Sequence, residues 1–458
     1  VQEKISPKVV GAIVATGLMS FCGVMVETAM NITFPTLMRE FHIATNTVQW
    51  MTTLYLLVVA AMVPLSATLK RRFKMRSLFL VAIMLFIAGV ILDGLAPEFW
   101  VLLLGRGIQG LGTGIALPLM FNIILEQVPP SKRGMMMGVG TMITGVAPAI
   151  GPTFGGLVVS AMSWRFIFAF LLPVLIIALV LGITCIEQKS EPVAARIDRL
   201  SVGLIIVTFC GLIFGISSWG SQPFFSLSVA GALIVGILAL IGFTYRSVTI
   251  QAPIINLRLF QTKAFVQCIL AFAIIQIGSL SMSFLLPNYI QLVNHSGALI
   301  AGLVVFPGAA IGAVAGPLSG RWYDQSGAKA PLRTSVLISL LGTLGLLAWG
   351  NHLANPLILV LYTLFMLGRG VGFGNIMTFG LNQLRTTDYA DGNAIFNTVQ
   401  QFTAALGISL AATIVAAGQA HSTSQAVGTA TGSVHSFAVL VVLTVIELGV
   451  IWRVTQKQ

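Results

Sequence analysis

Cys22-Gly-Val-Met-Val-Glu27-Thr-Ala-Met-Asn31-Ile-Thr-Phe-Pro35 is an apolar stretch with one carboxylate inside it. A charged side chain at the middle of a bilayer costs about 3 kcal/mol on insertion scales and more in simulation, so an acid so placed is read first as functional. The alternative is a carboxyl kept protonated, or hydrogen-bonded across a helix interface, for packing. The rest of the chain decides that the surroundings are a bilayer. Of the 458 residues 57% are hydrophobic and 8% charged, more apolar surface than a soluble core absorbs.

Crossing a hydrocarbon core takes about 20 residues of helix. Runs of that length lie near residues 9–34, 47–69, 77–96, 99–124, 134–159, 164–186, 200–218, 227–246, 264–290, 297–320, 332–350, 355–382, 392–417 and 434–453. The even count of fourteen predicts both termini on one side. The first run is too long for a signal-peptide core and is expected to remain as the first span. Basic residues test the topology, because loops on the cytoplasmic side collect Lys and Arg. With a cytoplasmic N-terminus, 21 of the 25 basic residues fall inside, from Lys4 and Lys8 through the Lys70–Arg76 cluster to Arg453 and Lys457. Only Arg39 and Arg165 fall outside, and Arg106 and Arg369 lie within spans. The net charge of +12 is therefore explained by topology, and no nucleic-acid partner is expected. Cys22, Cys185, Cys210 and Cys268 lie in apolar runs without metal spacing and read as packing residues.

The embedded arginines point to a repeat, since Leu104-Gly-Arg106-Gly in the fourth span is echoed by Leu367-Gly-Arg369-Gly in the twelfth. Matching spans 1–6 to spans 9–14 leaves spans 7 and 8 as an inserted pair. Expected units are a six-helix bundle (1–186), a cytoplasmic linker (187–199), the inserted helices (200–246), a second connection (247–263) and a six-helix bundle (264–458). Parallel halves built of inverted three-helix units are the architecture of many secondary transporters.

Four local patterns now carry a resemblance. Glu27-Thr-Ala-Met-Asn31-Ile-Thr-Phe-Pro35, Leu104-Gly-Arg106-Gly-Ile-Gln109-Gly110, Gly145-Val-Ala-Pro148-Ala-Ile-Gly151-Pro152-Thr-Phe-Gly155-Gly156 and Trp164-Arg165 are similar to motifs of the major facilitator superfamily. The chain resembles its fourteen-helix drug:proton antiporter branch, with Glu27 where Asp is commoner. The resemblance implies an all-α membrane protein of major facilitator fold, export of drugs against protons, and a Gly-Pro fifth helix associated with antiport. One departure stands out. The loop between spans 2 and 3 reads Ala67-Thr-Leu69-Lys70-Arg71-Arg72-Phe73-Lys74-Met75-Arg76, with basic residues at the family's acidic and glycine positions. The corresponding Gly316–Gly327 segment keeps the pattern, so Arg321 and Asp324 are expected to carry the cytoplasmic charge contact.

The residues support that reading in their own right. A buried carboxyl whose charge is cancelled by a proton or by a cationic substrate, but not by both, couples two opposed fluxes. Glu27 is the expected proton-coupling and substrate-binding group, with Asn31 one turn on and positioned to orient it. Arg106 is expected to tune the proton network, with Gln109 beside it. Arg369 lacks a Gln partner and is the weaker candidate. Glu126 and Glu447, toward cytoplasmic span ends, are expected to be structural. That leaves no second mid-membrane acid in the C-terminal half, favouring monovalent lipophilic cations or neutral amphiphiles. Gly145, Pro148, Gly151, Pro152, Gly155 and Gly156 combine close approach with bending, as a moving interface requires. With Glu27, the residues Met30, Asn31, Phe34, Trp50, Tyr55, Gln109, Gln276, Asn288, Asn397, Gln400 and Gln401 are candidate walls of an adaptable substrate pocket.

No Gly-Lys-Ser/Thr phosphate loop and no intramembrane catalytic set occur, so neither an ATP-driven pump nor a membrane enzyme is supported. The expected protein is a monomeric, multi-pass transporter of lipophilic small molecules in a bacterial plasma membrane, with cytoplasmic termini. It is driven by the proton gradient and needs no cofactor. A lipid flippase or metabolite exporter of the same fold is the competing reading.

Overall fold

Within hydrocarbon each backbone N–H and C=O must be satisfied inside its own segment, so long apolar runs fold as helices. The computed structural model describes residues 5–188, 198–219, 222–250, 253–254, 256–385 and 388–456. Among the described residues fourteen helices are long and apolar enough to cross a membrane. In the first half these are α1 (Pro7–Glu40), α2 (Thr45–Leu65), α3 (Met75–Gly94), α4 (Phe99–Gln127), α5 (Pro130–Ala161) and α6 (Phe166–Cys185). An inserted pair follows, α7 (Arg199–Trp219) and α8 (Leu227–Thr249). The second half has α9 (Lys263–Leu292), α10 (Ala298–Ser326), α11 (Lys329–Ala348), α12 (Asn355–Leu381), α13 (Tyr389–Ala420) and α14 (Gln425–Thr455). Most of the expected linker 187–199 lies outside the described residues, as do Lys4, Lys189, Arg196, Lys457 and part of the 247–263 connection.

Two helices depart from the expected runs for local reasons. α2 tightens to a 3-10 turn over Val63–Leu65, where Pro64 withholds a backbone donor, and the helix resumes over Ser66–Arg72. α14 starts at Gln425, well before the expected 434, because Gly428 and Gly432 let this polar, small-residue turn pack directly on α13. A methyl group at Gly432 would stand 2.6 Å from the Val415 Cα.

In the first half α1 packs between α4, α5 and α6, while α3 lies on α4 and α6. The second half repeats the plan, with α9 against α13 and α14, α10 on α12, and α11 between α12 and α14. The inserted helices pack on each other and lean on the first half at α2 and on the second at α13. Phe209 stacks on Phe402 at 4.8 Å, and Trp50 meets Phe214 at 6.0 Å. Asp198 clamps the pair by accepting from Arg246 at 2.7 and 2.8 Å. Those bonds, with Ser201, hold the Asp198 carboxyl down at about 2. A depressed carboxylate stabilises the fold above its free value, so this clamp is intact at neutral pH and lost only as pH falls from about 4 toward 2.

The halves meet along α5–α10, α2–α13 and α1–α9, and the hydrogen bonds between them gather toward one end. Every hydrogen bond between them among the described residues lies in the part remote from the termini. Asn31 donates to the Ser283 hydroxyl at 2.8 Å, Gln291 to the Ile32 carbonyl at 3.0 Å, and Thr45 to the Gln419 amide oxygen at 2.7 Å. Toward the termini the seam is open. On α1 the residues Leu18, Phe21, Val24 and Glu27, spaced by three, keep part of their surface free, whereas 28–35 are all buried. α9 behaves alike, with Ala273, Ile277, Leu280 and Ser283 partly free and 284–290 buried.

Closure of the far end depends on glycines at the α5–α10 crossing. A methyl at Gly156 would stand 2.5 Å from the Ala298 carbonyl oxygen, and one at Gly302 would stand 2.6 Å from that of Pro152. Gly156→Val or Gly302→Val should therefore pry this end apart. Spin labels at the exposed positions Ser163 and Thr423 are expected to report a longer distance in either variant. An unchanged distance would separate the glycines from closure.

Candidate functional site

Glu27 sits where the free stripe of α1 ends and the sealed part begins. One turn earlier, Gly23 allows α1 to approach α2 and α4, since a methyl there would stand 2.8 Å from the Thr113 hydroxyl and 2.9 Å from that of Tyr55. The Tyr55 hydroxyl donates to Thr113 at 2.9 Å. The Arg106 guanidinium lies over the Tyr55 ring at 4.1 Å, a favourable cation–π contact in a desolvated site.

Arg106 is fully buried and held from three sides. Its Nε donates to the Met51 carbonyl at 3.2 Å and its Nη1 to the Gln109 amide oxygen at 2.6 Å, leaving Nη2 without a partner. Gln109 passes the chain on, donating its Nε2 to Asp93 Oδ2 at 2.8 Å. Asp93 is likewise fully buried, and its Oδ1 has no partner. Glu27, Asp93 and Tyr55 all lie within electrostatic reach of the guanidinium. Chemically this is a dry cation facing two carboxylates, one of them with access to open space.

Asp93 is not among the residues that the sequence singles out. Lying one residue before Gly94 at the end of a span, Asp93 looks interfacial. Its burial follows from the glycine crossing of α3 and α4, where Gly105 leaves the space that the Asp93 carboxyl fills. Glu447 needs a correction. It is 1% exposed and accepts from Arg369 Nη1 at 2.6 Å, so the second half does contain a membrane-embedded acid. Arg369 also donates to the Thr444 hydroxyl at 3.1 Å and lies 4.8 Å from the Phe365 ring centroid.

Nor are the two arginines equivalent, despite their matching sequence echo. Gly112 of α4 packs against Ala82 and Phe86 of α3, and Gly368 of α12 packs against Ser335 and Ser339 of α11. Gly105 meets Gly89 as Leu361 meets Gly342. These crossings superpose Arg369 on Thr113 and Arg106 on Tyr362, so the echo is shifted by two helical turns.

The expected pocket residues divide by the state of the seam. Asn397, Gln400 and Gln401 on α13 are partly free, as Glu27 is, whereas Met30, Asn31, Phe34 and Asn288 are sealed within the closed end. Asn31 does not orient Glu27. Its amide bridges to Ser283 and accepts from Thr52 at 3.2 Å. Phe34 packs on Phe284 at 5.7 Å, and Asn288 donates to the Phe284 carbonyl of its own helix. Trp50 is half-buried against α7, Tyr55 and Gln109 belong to the arginine network, and Gln276 is 7% exposed. Gly151 and Gly155 seat α5 on the backbone around Glu27, facing Met25 and Ala29, while Gly156 faces α10. Pro148 and Pro152 fall inside the helix between them, and Gly145 has open space beside it. Arg321 and Asp324 are exposed at the open end and form no ion pair there among the described residues.

Two helical halves that meet chiefly at the end remote from the termini, with a partly free carboxylate where the sealed segment begins, have the architecture of a membrane transporter. The chain belongs to the Major Facilitator Superfamily, which its residues 16–408 match. It is 38% identical over 423 residues to the lincomycin resistance protein LmrB of Bacillus subtilis, covering 91% of this chain and 87% of that one. A protein of the same name from Listeria innocua is 37% identical over 408 residues, covering 89% and 87%. The multidrug resistance protein B homolog of Mycobacterium tuberculosis is 26% identical over 409 residues, covering 88% and 76%. Among solved structures, a bacterial homolog of the human lysosomal transporter Spinster, inward-facing and unoccupied, matches with TM-score 0.70 at 13% identity, covering 98% of each chain. A POT family transporter in complex with 5-aminolevulinic acid matches with TM-score 0.72 at 14% identity, covering 97% and 96%. These likenesses show the fold.

The Arg369–Glu447 pair makes a separate prediction. Removing one partner of a buried ion pair strands the other and costs about 3 kcal/mol, whereas replacing both with apolar residues is close to neutral. Glu447→Gln should lower resistance to denaturant in detergent by roughly that amount, and Arg369→Met/Glu447→Met should recover most of it. A single variant as stable as the parent would mean that the pair is not desolvated.

Proposed function

We propose that this chain exports amphipathic, drug-like compounds, cationic ones foremost, in exchange for protons, with Glu27 as the carboxylate that both compete for. The relatives named for lincomycin and multidrug resistance support the substrate class. The observation that carries the mechanism is the placement of Glu27: partly free at the end of the exposed stripe of α1, one residue before the sealed segment, and within reach of Arg106.

Excess Lys and Arg on the side of the termini assigns that side to the cytoplasm. The open seam then faces the cell interior, the loading state of an exporter. A cation entering the cavity replaces a proton on Glu27. The halves rock, the seam hydrogen bonds break at the outer end, and the cytoplasmic end closes. An external proton then returns to Glu27 and releases the cation outside. Asn397, Gln400 and Gln401 supply the opposite wall, and the Gly151–Gly156 segment of α5 links the Glu27 turn of α1 to the moving α5–α10 crossing.

In everted vesicles holding a proton gradient, ethidium should dissipate part of it. Glu27→Gln should abolish that response, and the resistance it confers, at unchanged expression. Retained dye-driven proton movement in the variant would remove Glu27 from the coupling step.

A further inference from the structure

Among the described residues two arginines are buried, and their charge balances differ. Arg369 has one carboxylate, Glu447, bonded directly at 2.6 Å, with both groups at most 3% exposed. That pair is neutral and closed. Arg106 faces two carboxylates, Asp93 through the Gln109 amide and Glu27 across the cavity edge. One guanidinium and two carboxylates leave a single negative charge.

We propose that Asp93 is a positioning residue that neutralises Arg106 from its dry side, so that the charge of Glu27 stays uncompensated and available to a proton or a cationic substrate. The inference rests on the coupling role proposed for Glu27. Two observations support it. Asp93 has no surface exposure and hence no contact with substrate. Its carboxylate reaches Arg106 only by way of Gln109, whose amide accepts from the guanidinium and donates to the carboxylate. The other helix packed on α3 is α6, which carries no charged residue. Arg165, just ahead of α6, is paired with Glu40 at 2.8 Å and donates its other nitrogen to the Ala96 carbonyl.

Charge counting then gives the consequence. Without Asp93, Arg106 and Glu27 would cancel each other, as Arg369 and Glu447 do, and the cavity would have no net attraction for a cation. Without Arg106 the cavity would hold one more negative charge. With neither, Glu27 would again be the lone charge.

The test is a cycle of variants measured as ethidium binding to purified protein in detergent, above the pH at which binding saturates. Asp93→Asn should weaken binding by about tenfold or more, Arg106→Gln should strengthen it, and Asp93→Asn/Arg106→Gln should return it to within about threefold of the parent, as expected for opposite charges that act on one another in a partly desolvated site. A merely structural Asp93 would give additive losses with no recovery in the double variant, and that result overturns the proposal. A second readout needs no substrate. The infrared carbonyl stretch of protonated Glu27, assigned by its loss in Glu27→Gln, should weaken at fixed pH in Asp93→Asn and strengthen in Arg106→Gln. If ethidium fails to bind the parent protein, the cationic substrate class is lost while this band still decides the pairing: the same intensity in all variants overturns it. If Asp93→Asn does not fold, the double variant compared with Arg106→Gln decides it: weaker binding in the double variant supports the proposal, and equal binding overturns it.

Discussion

A guanidinium without water has to be balanced inside the protein, and much of the first half is arranged to balance Arg106. Its flat face rests on Tyr55 and its edges are taken by the Met51 carbonyl and Gln109. Those partners come from α2 and α4, and Gln109 extends the network to Asp93 on α3. The three helices are thereby joined around one charge. An isolated cation at this depth would be costly, so the network is a condition for the half to fold.

Close helix approach is the second condition, and small residues provide it. Without a hydrophobic force between helices in lipid, association rests on packing and on interhelical hydrogen bonds. Gly23 brings α1 up to the Tyr55–Thr113 bond, and Gly105 makes room for the Asp93 carboxyl. In α5 the glycines face two ways, Gly151 and Gly155 toward α1 and Gly156 toward α10. One helix therefore touches both the backbone around Glu27 and the closed seam, giving a mechanical path between them.

Hydropathy and the distribution of basic residues made the helical class and the fourteen spans legible in the sequence, because the bilayer imposes length and polarity on each segment separately. Glu27 and Arg106 were legible for the same reason, each being a charge inside an apolar run. Asp93 and Glu447 were not. Both lie toward span ends, where linear distance from the end stands in for depth, and their burial comes from neighbouring helices: the α3–α4 glycine crossing in one case, Arg369 and Thr444 in the other. The arginine echo misled in a related way. Leu-Gly-Arg-Gly recurs with the same helical face, but a shift of two turns keeps that face while changing depth, and only the crossings with α3 and α11 reveal it. Asn31 shows a third limit, since its partner Ser283 lies in the other half.

The distribution of polar contacts bears on which parts move. All six ion pairs among the described residues lie within one unit: Lys8–Glu187, Lys70–Glu126 and Arg165–Glu40 in the first half, Arg246–Asp198 in the inserted pair, Arg369–Glu447 and Arg385–Asp388 in the second half. Contacts across the seam are between neutral groups, such as Thr53 with Ser409 at 3.2 Å and Thr45 with Gln419. A neutral hydrogen bond between membrane helices contributes about 0.6 kcal/mol on average, and hydroxyls and amides exposed by opening are readily hydrated. Stranding one member of a buried ion pair costs several times more. Buried charge therefore holds the second half together at Arg369–Glu447, as the Arg106 network does the first, while hydroxyls and amides hold the halves to one another, and a structure with that division separates along its seam before it deforms within a half.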